Sequence, residues 1–339
     1  MQQNRYFRNL DWWLVIAIFG LVGIGICLIA SATHSFAVTT GKAWHVERQS
    51  LFLAIDLALV IFSLRFDYRL LKDIATPLYV FNIILLLAVM FLGHSQLGAQ
   101  RWIQIGPLSI QPSEFSKAIM IVCLAAFLNK RLETLDSFTD YLPALAYAFV
   151  PFILVMKQPD LGTSLVFMAI LLGMLLISGF KVRWLMYMSG ALIALMPDVI
   201  QSKIAIGSGL LTGKGWFLGT QSQLNFLPEN HTDFIFAVAG EEFGFIGIFI
   251  ILLLYLIVIW RGLTIALNAE DDFGTLLAVG ITFMFMFHVL VNIGMTAGIM
   301  PVTGVPLPFM SYGVSSLTTN MLLAGLLLNI NMRRQQLQF

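Results

Sequence analysis

The feature that most constrains this chain is a succession of apolar runs, each near the length that crosses a bilayer, separated by short polar segments. A helical span needs about 20 predominantly apolar residues. The runs lie near 12–30, 50–64, 74–93, 113–128, 141–156, 161–179, 182–197, 233–260, 274–299 and 314–331, which predicts about ten transmembrane helices. Hydrophobic residues fill 59% of the 339 positions and charged residues only 11%, against about 25% charged in soluble domains. Lipid offers no partner for unpaired backbone groups, so the spans should be helices, and the alternation of a barrel strand is absent. The expected class is an all-α integral membrane protein, with 1–339 forming a single polytopic membrane domain because no repeat or low-complexity linker divides it.

The remaining composition narrows the options further. Cys27 and Cys123 both sit in apolar runs, where neither a disulfide framework nor a metal cluster is expected. A formal net charge of +1 argues neither for nor against nucleic acid, and with no basic run or aromatic-plus-basic stripe no nucleic-acid partner is expected. The first apolar run is expected to be a retained helix rather than a cleaved signal, because nine more follow it.

An even helix count puts both termini on one side. With the termini inside, the inner segments hold Arg5, Arg8, Arg65, Arg69, Lys72, Lys130, Arg131, Lys181, Arg183, Arg261, Arg333 and Arg334. The outer segments hold only Lys42, Arg48, Arg101, Lys157, Lys203 and Lys214, and Lys117 falls within a span. That two-to-one excess predicts cytoplasmic termini. The three longest interhelical segments, 31–49, 94–112 and 198–232, then lie on the outer face, with 198–232 as the main extracytoplasmic loop.

Polar residues gather in the same places. Gly98-Ala99-Gln100-Arg101-Trp102 leads through Gln111-Pro112-Ser113-Glu114 into the fourth helix. Glu114 and Lys117 are three residues apart and share a helix face. They are open to two readings, a structural ion pair or part of a functional site, and ionisable groups inside membranes are functional candidates by default. Asp160, in Gln158-Pro159-Asp160-Leu161-Gly162-Thr163, is open to the reading that it only starts the sixth helix, where an acid complements the helix dipole. Gly213-Lys214-Gly215 lacks the spacing and trailing hydroxyl of a phosphate-binding loop, so nucleotide binding is excluded.

The richest cluster is Leu227-Pro228-Glu229-Asn230-His231-Thr232-Asp233-Phe234. Thr232 could cap the eighth helix with Asp233 in its first turn. At 100° per residue Glu241 lies about 80° and Glu242 about 180° around the helix from Asp233, so the acids cannot share a face, and Glu241 is favoured as nearer the site. Pro301, Pro306 and Pro308 interrupt the approach to the tenth helix, which Ser311-Tyr312-Gly313 opens. Asp56, His288 and Asn292 stand as isolated intramembrane polar residues and are each expected to be structural.

In this order the motifs around Arg101, Glu114, Asp160, Ala205-Ile206-Gly207-Ser208-Gly209, Asp233 and Ser311 resemble the SEDS family of shape, elongation, division and sporulation proteins, with its RodA, FtsW and SpoVE types. The resemblance covers nearly the whole chain, and the string from Met300 to Phe309 is closer to the RodA type. Two departures stand out: Val314 replaces a second glycine, and after Met196-Pro197 the chain passes almost directly into Gln201-Ser202, where the family usually carries a few tens more residues.

The resemblance implies a SEDS-type fold in the bacterial cytoplasmic (inner) membrane and a peptidoglycan glycosyltransferase that polymerises lipid II into glycan strands during elongation. It also implies a class B penicillin-binding protein, a transpeptidase, as partner, alongside membrane lipid and the growing glycan strand. Asp233 matches the family position expected to act as general base. Arg101, Lys117 and Lys203 are the candidates for holding diphosphate, with Glu114 orienting Lys117. Asp160, Glu229, His231, Glu241 and Ser311 complete the expected substrate-binding set. No compact carboxylate cage is readable, so a metal such as Mg2+ or Mn2+ stays open. The rival expectations are a flippase for lipid-linked precursors and a noncatalytic scaffold.

Overall fold

A computed structural model describes residues 9–96, 99–106, 108–135, 137–180, 200–224 and 226–334. Its helices are α1 (Trp12–Ala32), α2 (His34–Thr40), α3 (Trp44–Ser63), α4 (Leu70–Asp73), α5 (Ala75–Leu92), α6 (Pro112–Asn129), α7 (Phe138–Met156), α8 (Leu161–Ile177), α9 (Ile200–Ser208), α10 (Thr220–Gln223), α11 (Ile235–Leu267), α12 (Asp272–Thr296) and α13 (Val314–Met332). Nine of the ten predicted spans are thus matched by helices. The predicted seventh, 182–197, lies outside the described residues.

Among the described residues, α1, α6, α7, α11 and α12 are long and apolar enough to cross a membrane, and α5 and α8 are shorter apolar helices. The chain is a multi-pass membrane protein. Its surface agrees with a lipid solvent: Trp12, Trp13, Phe91, Phe249 and Trp260 all stand exposed, which water would penalise and hydrocarbon does not. Inside, α11 packs on α1 and α12, α12 on α8, and α13 on α3. Phe167, Phe285, Met120 and Leu276 fill the space between them.

Two helices outrun their apolar cores. α3 starts at Trp44 rather than near 50, and its first turns hold Glu47 and Arg48. The Arg48 guanidinium lies over the Trp44 ring at 4.6 Å, which accommodates a charge on a helical turn. α11 continues past Arg261 to Leu267, because Arg261 pairs with the buried Asp11 at 2.6 Å and so ends the apolar run without ending the helix.

α11 is also broken. Gly244 has φ 62° and ψ −160°, a backbone conformation open to glycine. The groups freed by the break are taken up by 209–215. Lys214 N and Gly215 N donate to the carbonyls of Glu241 and Glu242, each at 3.0 Å, while Phe245 N and Ile246 N donate to Leu210 O and Leu211 O at 2.9 and 3.1 Å. Irregular backbone in a membrane protein must be satisfied by protein in this way. The predicted loop 198–232 is therefore partly helical and closely docked, through α9, α10 and this seam.

The segment 94–110, expected as a loop, folds as a small antiparallel sheet of β1 (His94–Gln96), β2 (Ala99–Ile105) and β3 (Leu108–Ile110), in the order β1-β2-β3. Ile103 pairs with Ile110 and Ile105 with Leu108. The sheet brings Arg101 from β2 over the start of α8.

Candidate active site

Asp160 is the N-cap of α8: its Oδ1 accepts from Thr163 N at 3.1 Å. The helix-start reading therefore holds, but it accounts for only part of the carboxylate. Oδ2 accepts from Gln111 Nε2 at 3.2 Å and Ser113 Oγ at 3.4 Å, both at the start of α6. Arg101 approaches Oδ1 at 3.7 Å and also donates to the Pro159 carbonyl. Gln111 N in turn donates to Ser315 Oγ at 3.1 Å, bringing in the first turn of α13. Three helix starts and the sheet thus converge on one buried acid.

Asp233 lies just before α11. The expectation that Thr232 caps this helix is corrected: Phe234 is the N-cap and makes no side-chain cap bond, while the Thr232 hydroxyl turns back to the Glu229 carbonyl at 3.3 Å. Glu229, with φ 45°, turns the chain so that Thr232 N and Phe234 N both donate to its carbonyl at 3.2 Å. This leaves the Asp233 carboxylate outside the capping geometry. Its main-chain carbonyl accepts from Asn292 Nδ2 at 2.9 Å, and its Oδ2 would stand 3.5 Å from a Cβ at Gly304, whose φ is 67°. Burial and the Glu229 charge push the Asp233 carboxyl up to about 6, against the opposing pull of Arg101. Asp160 also pushes it upward, so Arg101, Asp160, Glu229 and Asp233 share one electrostatic site.

The 303–305 segment bridges the two acids. A methyl at Gly162, in the first turn of α8, would strike Thr303 O and Val305, while Gly304 faces Asp233. Ser311 fastens the far end: its hydroxyl donates to Thr232 O at 2.7 Å and accepts from Leu307 N at 2.8 Å. Ser311 is thus committed to holding backbone. His231 faces an aromatic patch, its ring 5.2 Å from that of His45 and 5.6 Å from Tyr312. Burial lowers its pKa, with Glu229 opposing.

Glu114 and Lys117 pair at 2.7 Å with both side chains nearly inaccessible. Lys117 Nζ also lies 3.3 Å from His288 Nε2. The cation is enclosed by protein on the sides described. Lys203 is exposed on α9 and runs over Gly298, where an added methyl would strike its side chain. Ser202 docks the same helix by donating to Thr296 O at 2.6 Å.

Glu241 is placed away from Asp233. Its buried carboxylate accepts from Lys214 Nζ at 2.7 Å, Thr220 Oγ1 at 3.1 Å, Gln221 N at 2.9 Å and Ser222 N at 3.2 Å. Its work is to hold the 214–222 loop. Glu242 accepts from the Ser31 hydroxyl of α1.

Sequence reasoning missed Gln111 and Ser113 as partners of Asp160 and treated Asn292 and His288 as isolated. The signal for the latter pair was their spacing of four, which puts both on one face of α12. Among the described residues no group of three or more His, Cys, Asp or Glu side chains is arranged to hold a metal ion.

The family model described as cell cycle protein, covering FtsW, RodA and SpoVE, matches residues 12–197 and 197–336. The two matches meet at residue 197. Peptidoglycan glycosyltransferase MrdB of Escherichia coli K12 is 40% identical over 340 residues, covering 91% of this chain and 92% of that protein. Stage V sporulation protein E of Bacillus subtilis is 37% identical, covering 95% and 96%. Among solved structures, Thermus thermophilus rod shape determining protein RodA superposes with a TM-score of 0.78 at 30% identity, over 96% of this chain and 98% of that one. A chain from a structure showing coordination of polymerization and crosslinking by a peptidoglycan synthase complex gives 0.81 at 30% identity, over 96% and 99%. With the fold, the ordered motifs and these matches in agreement, the chain belongs to the FtsW, RodA and SpoVE family of cell cycle proteins.

Proposed function

We propose that the chain is a peptidoglycan glycosyltransferase that polymerises lipid II into glycan strands during cell elongation, with Asp233 as general base. The observation that carries the catalytic assignment is the setting of Asp233: a carboxylate held by its backbone, facing the glycine of an irregular segment, with a pKa raised to about 6. A base is most effective when its pKa lies near the working pH, and a positioned one contributes about 10² to 10⁴ in rate.

In the step, Asp233 takes the proton of the acceptor sugar hydroxyl as that oxygen attacks the anomeric carbon. The bond from that carbon to the diphosphate oxygen breaks, and its electron pair leaves with undecaprenyl diphosphate. One base is enough for this inversion, since the leaving group departs as an anion. Arg101, the partly exposed cation of the site, offers fixed positive charge where that anion forms. Asp160 orients Arg101, and Glu229 and His231 line the acceptor side. Lys203 lies farther along the outer surface as a second contact for phosphate. Lys117 acts through its neighbours, because Glu114 and His288 already enclose it. Among the described residues no three His, Cys, Asp or Glu side chains are grouped to hold Mg2+ or Mn2+.

The relatives named as glycosyltransferases favour polymerase over the lipid-flipping alternative. The partner proposed is a class B penicillin-binding protein, and the location proposed is the bacterial cytoplasmic membrane with both termini inside.

The test is polymer formation from lipid II by the purified chain with a transpeptidase-inactive partner. Wild type is expected to give polymer and a folded, partner-bound Asp233→Asn none. Equal polymer from both would remove Asp233 as base, and none from either would reopen the flippase.

A further inference from the structure

α12 carries His288, Asn292 and Thr296 at intervals of four, on one buried face, and each ties the helix to a different part of the molecule. Thr296 O receives Ser202 of α9 at 2.6 Å. Asn292 Nδ2 donates to Asp233 O at 2.9 Å and Val305 O at 2.8 Å. His288 stands between Lys117 Nζ, 3.3 Å from its Nε2, and Pro306 O, 3.0 Å from its Nδ1.

An ammonium only donates and a carbonyl only accepts, so a single state of the ring satisfies both neighbours: neutral, with the proton on Nδ1 and the lone pair on Nε2. Lys117 therefore selects the tautomer that grips Pro306. Glu114, at 2.7 Å, aims the ammonium. The consecutive carbonyls of Val305 and Pro306 are then held by side chains one helical turn apart on α12. Gly304, next in line, faces the Asp233 carboxylate. Without His288 the Asn292 hydrogen bond to Val305 O remains as the tie from α12 to this segment among the described residues.

We infer that His288 is a positioning residue: through Pro306 it transmits the fixed geometry of the buried Glu114–Lys117 pair to the 304–306 segment that packs over Asp233. This role rests on the reading of Asp233 as base. It gives the enclosed ion pair a part in the reaction that needs no contact with substrate.

The test separates the two ring nitrogens. In His288→Asn the amide nitrogen stands near the place of Nδ1 and keeps a donor for Pro306, whereas His288→Leu keeps none. With the full chain and its transpeptidase-inactive partner, His288→Leu should lower kcat about tenfold with KM changing less than about threefold, and His288→Asn should recover most of the loss. Nitrogen-15 histidine spectra of the full chain give a readout independent of activity. The His288 signals, assigned by their loss in His288→Asn, should show a protonated Nδ1 and a bare Nε2. The joint variant Glu114→Gln/Lys117→Met should redistribute the tautomers.

An Nε2-protonated or doubly protonated ring would overturn the inference, as would spectra unmoved by the joint variant. Equal kcat loss per folded molecule in the Asn and Leu variants would also overturn it. No polymer from wild type would instead sink the polymerase reading, and the spectra would still decide whether Lys117 sets the ring.

Discussion

Asn292 holds Asp233 by its main-chain carbonyl, not by its carboxylate, at 2.9 Å. The same amide nitrogen holds Val305 O at 2.8 Å. Position and chemistry are thereby separated in the proposed base: one group fixes the backbone while the carboxylate stays free to exchange a proton. Asn292→Leu leaves two carbonyls without this donor, a cost of about 1–3 kcal/mol. The expected outcome is a lowered thermal midpoint together with reduced polymer yield, measured on the same preparation.

Asp233 itself should trade stability for activity. Its folded pKa of about 6 lies above the ordinary value of 3.8, so the ionised form is the one the fold disfavours. As pH rises from 4 to 6 the unfolded chain releases this proton first and stability falls; above about 6 the penalty is complete. Asp233→Asn removes it. The variant should therefore unfold at a higher temperature than wild type at pH 7, with the difference vanishing near pH 4. A lower midpoint at pH 7 would contradict the proposed environment of the carboxylate.

The same pKa sets the acidic limb of the activity profile. kcat/KM should climb as pH rises through about 6 and then level, as the base loses its proton. The neighbours give the profile a sign test. Arg101 lowers this pKa and Glu229 raises it, so Arg101→Ala should move the limb to higher pH and Glu229→Gln to lower pH. Parallel shifts in one direction would show that the limb belongs to another group.

Gly244→Ala tests the seam in α11. The residue sits at φ 62°, ψ −160°, and an added Cβ would also press on the backbone of 209–213. The strain alone is of order 1–3 kcal/mol. The expected result is loss of folded protein in detergent, read by size-exclusion yield and thermal unfolding, whereas Gly207→Ala, with open space around it, should be tolerated.

Much of this architecture was legible from apolar run length, and helix limits agree within a few residues where hydrophobicity ends with the helix. They diverge at Trp44, where Arg48 one turn on lies over the ring, and at Leu267, where Arg261 finds Asp11, a partner that no local pattern encodes. The sheet carrying Arg101 was hidden because it lies between two apolar runs, where β2 (Ala99–Ile105) and the three-residue strands beside it read as a connecting loop. Asp160 and Asp233 stood out as acids at helix entrances. What stayed out of reach was their company, since Gln111, Ser113, Gly304 and Asn292 meet them only through tertiary contact. Glu241 shows the converse: it stood out as an acid within a span, but a loop 19 to 27 residues upstream holds its carboxylate.

The seam at Gly244 bears on how the chain is made. During synthesis 209–215 emerges before the residues whose hydrogen bonds it will complete. Until the two meet, the nascent α11 carries exposed amides and carbonyls at its break, which hydrocarbon penalises. Docking of α11 against the 209–215 segment removes that penalty, because each freed group at the break then has a protein partner.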